Sequence, residues 1–401
     1  MGDCAPSGAT GTGLIICPRY PYPPTAGGVK RTLRLAECMQ RAGLRVQLLT
    51  DDRPDASRVD ALADRGWTTL VAEDERSPAL RRLQQHVLRL PGPRSTGVAS
   101  ALAAAPAAPG TFIQAEGVVA ASHLTTGQRL PIIFSTHNIE TQLARASLTR
   151  ADGRGAKRVT AAYHAHRVAH TEARTATRAD AVICVSDADA DWFSAHARRI
   201  IVAPNGVDDE FFAVEPADAT TEDILFFGQF TYAPNREGFD RFLADGWPVL
   251  AGLRPRCRLL LAGEASDQVP IPHDQSDRVK VLGLVESIAD TVARARLTIV
   301  PIWHGGGTRL KVLESLAACR PVVSTPLGVS GLGFRSGDHG LVAGSAVELA
   351  QAVATLLERP DLLETMAESG RRLATAYAWR RALGPAEELY RDRADQLRAA
   401  R

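Results

Sequence analysis

Short apolar runs of strand length alternate along the chain with longer segments whose apolar residues recur at helical spacing. That alternation is the pattern of parallel sheets covered by helices on both faces. In the first half it predicts strands at Gly13–Cys17, Arg45–Leu49, Trp67–Val71, Thr111–Gln114, Ile132–Ser135, Ala181–Val185 and Ile200–Ala203. Helices are predicted at Val29–Gln40, at Thr141–Thr177 with a break near Gly153 and Gly155, and at Asp189–His196. The Pro-, Gly- and Ala-rich stretch Pro91–Gly110 reads as a surface excursion.

After Phe212 the stretch AVEPADATTED is polar and contains proline, and it predicts a solvated linker. A second series follows, with strands predicted at Ile224–Phe227, Arg258–Leu261, Val279–Leu282, Leu297–Val300, Pro321–Ser324 and Leu341–Ala343, then helices from Val347 onward. Two doubly wound α/β domains of similar size fit this order better than one large sheet.

Charge narrows the partners: 47 Lys and Arg against 45 Asp and Glu leave +2, without the basic excess that nucleic-acid binding leaves. The opening residues lack a charged n-region and an apolar h-region, and no stretch approaches the ~20 apolar residues that span a bilayer. A cytoplasmic protein is expected. Cys4, Cys17, Cys38, Cys184, Cys257 and Cys319 show no CxxC spacing and read as reduced and structural.

The glycines Gly8, Gly11 and Gly13 precede a strand, whereas a dinucleotide fingerprint follows one, so they read as an amino-terminal tail. Gly27 and Gly28 are better placed, between a strand and a helix, where bare backbone can approach a phosphate or simply turn tightly. His137 lies just beyond a buried strand, the edge on which open α/β sheets hold ligands; packing beside Asn138 is the plainer alternative. His164, His166 and His170 include an i, i+4 pair but no third ligand, so no metal is expected. The run of basic residues from Arg145 to Arg178 suits a solvated helix face, with an anionic acceptor or a peripheral membrane contact as the alternative.

The segment IVPIWHGGGTRLKVLES concentrates the most chemistry. A strand ends at Pro301, Gly305, Gly306 and Gly307 strip the turn, and Thr308 is expected to open a helix carrying Arg309 and Lys311. Free amides, a helix dipole and two cations at one point suit a diphosphate. Glu314, one turn on, pairs with Lys311 or accepts hydrogen bonds from ribose hydroxyls.

At these residues the chain resembles the nucleotide-sugar-dependent glycosyltransferases of family 4, in its GGGTRLK subgroup. The ordered set carries the resemblance: PPTAGGVKRTLRL, STHNIE, ADAVICVSDAD, APNGVDDEFF, FFGQFTYAPNREGFDRFL, LLLAGE, VLGLVES, GGGTRLKVLES and ATAYAWRRALGPAEELY. It implies the GT-B architecture, two Rossmann-like doubly wound parallel-sheet domains facing a cleft. Residues 1–213 would form the acceptor-side domain, 221–377 the nucleotide-sugar domain, and 378–401 a helix returning to the first domain.

The resemblance implies a retaining, metal-independent, hexosyltransferase-type transfer to an acceptor hydroxyl. The donor is a nucleotide-diphosphate sugar used as co-substrate, with a UDP-sugar ahead of a GDP-sugar on frequency alone, and there is no resident cofactor. Gly27, Gly28 and Arg31 would lie by the diphosphate, His137 beside the donor sugar, Gly228, Gly305, Gly306, Gly307, Thr308, Arg309 and Lys311 around the donor, and Glu314 on the ribose. His137, Arg309 and Lys311 would be the catalytic side chains. Gly306 stands where the family's E-x7-E motif has its first glutamate, which leaves the transferred sugar open. A non-catalytic nucleotide-sugar-binding protein or a sugar-nucleotide epimerase of the same fold is the alternative.

Overall fold

Strands that are apolar on both faces need helices on both faces, and the parallel arrangement of both sheets meets that need. The computed structural model describes residues 11–24, 27–72, 96–104, 110–125, 127–150, 156–218, 220–306 and 309–399. The first sheet has seven strands in the order β3-β2-β1-β4-β5-β6-β7. They are β1 (Gly11–Ile16), β2 (Leu44–Thr50), β3 (Thr68–Val71), β4 (Thr111–Glu116), β5 (Ile132–Ser135), β6 (Ala181–Cys184) and β7 (Ile200–Val202). The second has six, in the order β10-β9-β8-β11-β12-β13. These are β8 (Ile224–Phe227), β9 (Leu259–Ala262), β10 (Val279–Gly283), β11 (Leu297–Val300), β12 (Val322–Ser324) and β13 (Gly340–Val342). Every pairing between them is parallel.

Contacts group the residues up to Asn205 with Leu383–Arg401 as one unit and Gly206–Ala382 as the other. The second sheet shows the two-residue period directly: Ile224 and Phe226 enter one apolar cluster and Leu225 and Phe227 another. In the first unit, the helix Gly384–Ala399 is pinned by Tyr390, whose ring stacks on Phe112 at 6.2 Å. The Tyr390 hydroxyl donates to Gln114 Oε1 at 2.6 Å, and Arg41 donates to Glu387 at 2.9 Å. No helix among the described residues is long and apolar enough to cross a membrane.

All thirteen strands fall within two residues of the sequence expectation, but three connecting segments differ from it. Gly11 belongs to β1 rather than to a tail, together with Gly13, where the strand was expected to begin; Gly8 lies outside the described residues. A Cβ on Gly13 would come within 2.6 Å of Met39 Sδ, so the glycine lets the helix Gly27–Arg41 lie close on the sheet. The stretch after Phe212 is exposed at Ala213, Glu215, Pro216, Asp218 and Thr220, as a solvated linker is, but it is also tied down at two points. Buried Arg320 donates to the Glu215 carbonyl at 3.0 Å, and Arg258 grips Asp223 at 2.6 and 2.7 Å. Within the supposed surface excursion, Thr96–Ala104 forms a helix that buries Val98 and Leu102 in the first core. The helical break between Glu140–Arg150 and Ala156–Arg178 lies outside the described residues.

Tyr390→Phe deletes a donor and leaves the fully buried Gln114 Oε1 without its partner. The expected loss is about 1–3 kcal/mol, read as a lower denaturant midpoint at unchanged m-value.

Candidate functional site

In each sheet the chain winds outward in one direction, then returns and winds in the other. The reversal leaves a crevice at the carboxyl ends of two neighbouring strands, because their following loops diverge. In the first unit those strands are β1 and β4; in the second they are β8 and β11. The described sequence-nominated residues fall on loops that leave β5, β8 and β11 or on the helices that follow β1 and β11.

In the first unit, Gly27 and Gly28 open the helix that follows β1. Gly28 faces His137: a Cβ built on it would make ordinary contact, 3.7 Å from the imidazole Cδ2 and Nε2. His137 itself follows β5, with its side chain one-quarter exposed. Burial and the nearby Arg31 charge hold its imidazole down to a pKa of about 3, so the ring is neutral at physiological pH. Arg31 does not reach solvent. It is fully buried and donates to the Ala203 carbonyl at 2.7 Å and to Asn205 Oδ1 at 3.2 Å, so it braces the floor beneath the glycine loop.

The residue that sequence reasoning missed is Glu116, the last residue of β4 and only 4% exposed. Its carboxylate accepts from Gln114 Nε2 at 2.5 Å, Ser135 Oγ at 3.2 Å and Thr32 Oγ1 at 3.4 Å. Its Oε2 lies 3.5 Å from His137 Nε2. Burial pushes this carboxyl up, while Gln114, Arg31, Ser135 and Thr32 pull it down. The signal was present in FIQAE, where an acid ends an otherwise buried strand.

In the second unit, β8 and β9 each end on a glycine turn. Gly228 follows β8 at φ +146° and Gly263 follows β9 at φ +120°. A Cβ on Gly263 would lie 2.2 Å from the Gly228 carbonyl, so these two loops approach as only glycine allows. Gly305, at φ +106°, sits against Tyr232 Oη and Pro234.

Lys311 comes to the end of β8 from the far side of this crevice. Its Nζ donates to Asn235 Oδ1 at 2.8 Å, lies 4.4 Å from the Phe226 ring centre, and occupies the space where a Gly228 Cβ would be, at 2.8 Å. Burial and the Arg309 charge lower its pKa to about 7, against the opposing pull of Glu314. Asn235 and Phe226 were not nominated from sequence; Phe226 belongs to β8, and Asn235 lies in the first turn of the helix Ala233–Arg241, held by its bond to the Gln229 carbonyl at 2.7 Å.

The helix begins at Leu310, later than Thr308 as expected, so Arg309 stands before its first turn. Arg309 is 9% exposed, and its guanidinium folds back onto the Gly306 carbonyl. Glu314 is also 9% exposed, on the same helix as Lys311. The second unit therefore brings together Gly228, Gly305, Gly306, Arg309, Lys311 and Glu314, and the first unit Gly27, Gly28 and His137 above Arg31. Gly307 and Thr308 lie outside the described residues.

Compared with known families, residues 25–211 match Glycosyltransferase Family 4 and residues 221–359 match Glycosyl transferases group 1. No curated protein matches the chain by sequence. Among solved structures, a sucrose-phosphate synthase from Thermosynechococcus elongatus is similar at 17% identity and a TM-score of 0.70, covering 98% of this chain and 100% of that one. HepE from Anabaena, in complex with UDP and glucose, is similar at 17% identity and a TM-score of 0.65, covering 96% and 99%. A glycosyltransferase from Rickettsia africae is similar at 13% identity and a TM-score of 0.62, covering 96% and 98%. With both halves matched to glycosyltransferase domains and both sheets in the GT-B arrangement, the chain is an enzyme of the family 4-like glycosyltransferases.

Proposed function

We propose that the protein transfers a sugar, with retention, from a nucleotide-diphosphate sugar to an acceptor hydroxyl, and that the second unit binds the diphosphate. The observation that carries this reading is Lys311 at the end of β8, hydrogen-bonded to Asn235 beside the bare backbone of Gly228. A cation held there, next to Arg309, meets the negative charge that grows on a leaving diphosphate. A preorganised ammonium and guanidinium can do this without a metal. The UDP-bound and UDP-glucose-bound forms of HepE support a UDP-sugar as the first donor to test.

In the same reading, Glu314 accepts hydrogen bonds from the ribose hydroxyls, and Gly305 and Gly306 let the diphosphate approach backbone. His137 stands beside the donor sugar and is the first unit's contribution to the reaction. Gly306 supplies no carboxylate for the transferred sugar, so donor choice rests on other groups. A panel of UDP- and GDP-sugars, scored for hydrolysis and for transfer to lipid, oligosaccharide and small-molecule acceptors, tests the assignment. Binding of the nucleotides without turnover of any donor would favour a binding protein, and interconversion of the sugar would favour an epimerase.

Two outcomes follow from the second-unit geometry. A diphosphate raises the pKa of Lys311 above its free value of about 7, so binding above that pH takes up a proton. UDP affinity should therefore fall as pH rises from 7, by up to about tenfold per pH unit for one linked proton. Calorimetry in buffers of different ionisation enthalpy checks the proton uptake, which Lys311→Met should abolish. Separately, Glu314→Ala should weaken UDP binding by about 1.5–3 kcal/mol, the range of hydrogen bonds to a charged group. Titration with UDP alone, without the sugar, makes the measurement specific; unchanged affinity would remove Glu314 from the ribose site.

A further inference from the structure

We propose that Glu116 is the positioning residue for His137: it fixes the imidazole in the tautomer protonated at Nε2, so that an N–H and not a lone pair stands beside Gly28. The inference deepens the reading above, in which His137 is at the substrate.

The orientation of Glu116 is itself determined by a chain of buried groups. Tyr390 donates to Gln114 Oε1 at 2.6 Å, which turns the Gln114 amide nitrogen toward Glu116 Oε1 at 2.5 Å. The Ser135 hydroxyl donates to Oε2 at 3.2 Å; the Thr32 hydroxyl lies 3.4 Å from it but has the Gly28 carbonyl closer, at 3.1 Å. Burial raises the pKa of this carboxyl; donors nevertheless meet both of its oxygens, Gln114 Nε2 on Oε1 and Ser135 Oγ on Oε2, and on that geometry Glu116 offers His137 a lone pair.

The ring nitrogen facing that carboxylate must therefore carry the proton. The other nitrogen agrees: His137 Nδ1 is buried with no hydrogen-bond partner. An orphaned buried acceptor is tolerated better than an orphaned N–H, so the lone pair belongs on Nδ1. The 3.5 Å separation of Nε2 from Oε2 exceeds a full hydrogen bond. It leaves the N–H able to swing to a substrate hydroxyl while the carboxylate prevents the tautomer from reversing. Glu116 thus acts through His137, and the same arrangement explains why an acid stands at the end of a strand whose other residues are apolar or bonded.

The direct test is a long-range proton–nitrogen correlation spectrum of the full chain carrying 15N-histidine, with His137 assigned by its loss in His137→Gln. The expected spectrum shows His137 protonated at Nε2; a ring protonated at Nδ1 overturns the proposal whatever the variants do. In Glu116→Gln the amide can turn its NH2 to Nε2, which moves the ring proton to Nδ1. Turnover of UDP-glucose, or of whichever panel donor the wild type consumes, should then fall about tenfold or more in kcat, with KM and UDP affinity little changed.

Glu116→Asp keeps the charge but withdraws it by one methylene; it should retain the Nε2 tautomer and lose less activity. A Glu116→Gln protein with wild-type tautomer and kcat overturns the proposal, as does one losing UDP affinity and kcat in parallel, which marks a purely structural role. Should Glu116→Gln not fold, the wild-type spectrum and Glu116→Asp still decide. If the wild type consumes no donor at all, the transferase reading fails, while the tautomers of wild type and Glu116→Gln decide the positioning role independently.

Discussion

A parallel strand covered on both faces can offer chemistry only at its ends, and this constraint organises both units. The flanks of β5, β8 and β11 are fully buried. Polar side chains placed along them would lose their hydration without a substrate to replace it. Function is therefore displaced to the residues just beyond the carboxyl ends, where the strand-order reversals between β1 and β4 and between β8 and β11 leave room.

The two crevices solve the problem of holding charge away from water in opposite ways. In the first unit, a buried carboxyl group is surrounded by hydroxyl and amide donors and stands beside a neutral imidazole, with a fully buried arginine bonded to a carbonyl nearby. In the second, two cations stand close to each other, and burial and mutual repulsion draw the lysine down toward neutrality. Two cations so placed are unfavourable on their own, and an anion set beside them would relieve burial and repulsion together. The cost is borne locally by Asn235, the Phe226 ring and the Gly306 carbonyl, each of which meets one of the cations.

Glycines give these crevices their shape. Gly228, Gly263 and Gly305 have backbone conformations that other residues rarely adopt, and side chains there would overlap neighbouring loops. Gly228 has the most specific role, since the space its missing side chain leaves is occupied by the lysine ammonium.

Much of this was legible in the order of residues alone. Strand positions, the glycine turns beyond β1 and β11 and the candidates His137, Lys311 and Glu314 depend on local periodicity and on turns of a few residues. What the linear order could not decide is which strand-end loops lie side by side, because neighbours in a sheet are set by packing across the whole domain. Lys311 meets Asn235 across 76 residues of sequence, and Tyr390 meets Gln114 across 276. The contacts of Glu116 with His137 and of buried Arg31 with Ala203 and Asn205 likewise exist only once β4, β5 and the 203–205 segment are brought together. Sequence determined which side chains stand at the strand ends; the tertiary fold decided which of them face one another, because electrostatic and hydrogen-bond coupling acts over a few ångströms of space and not along the chain.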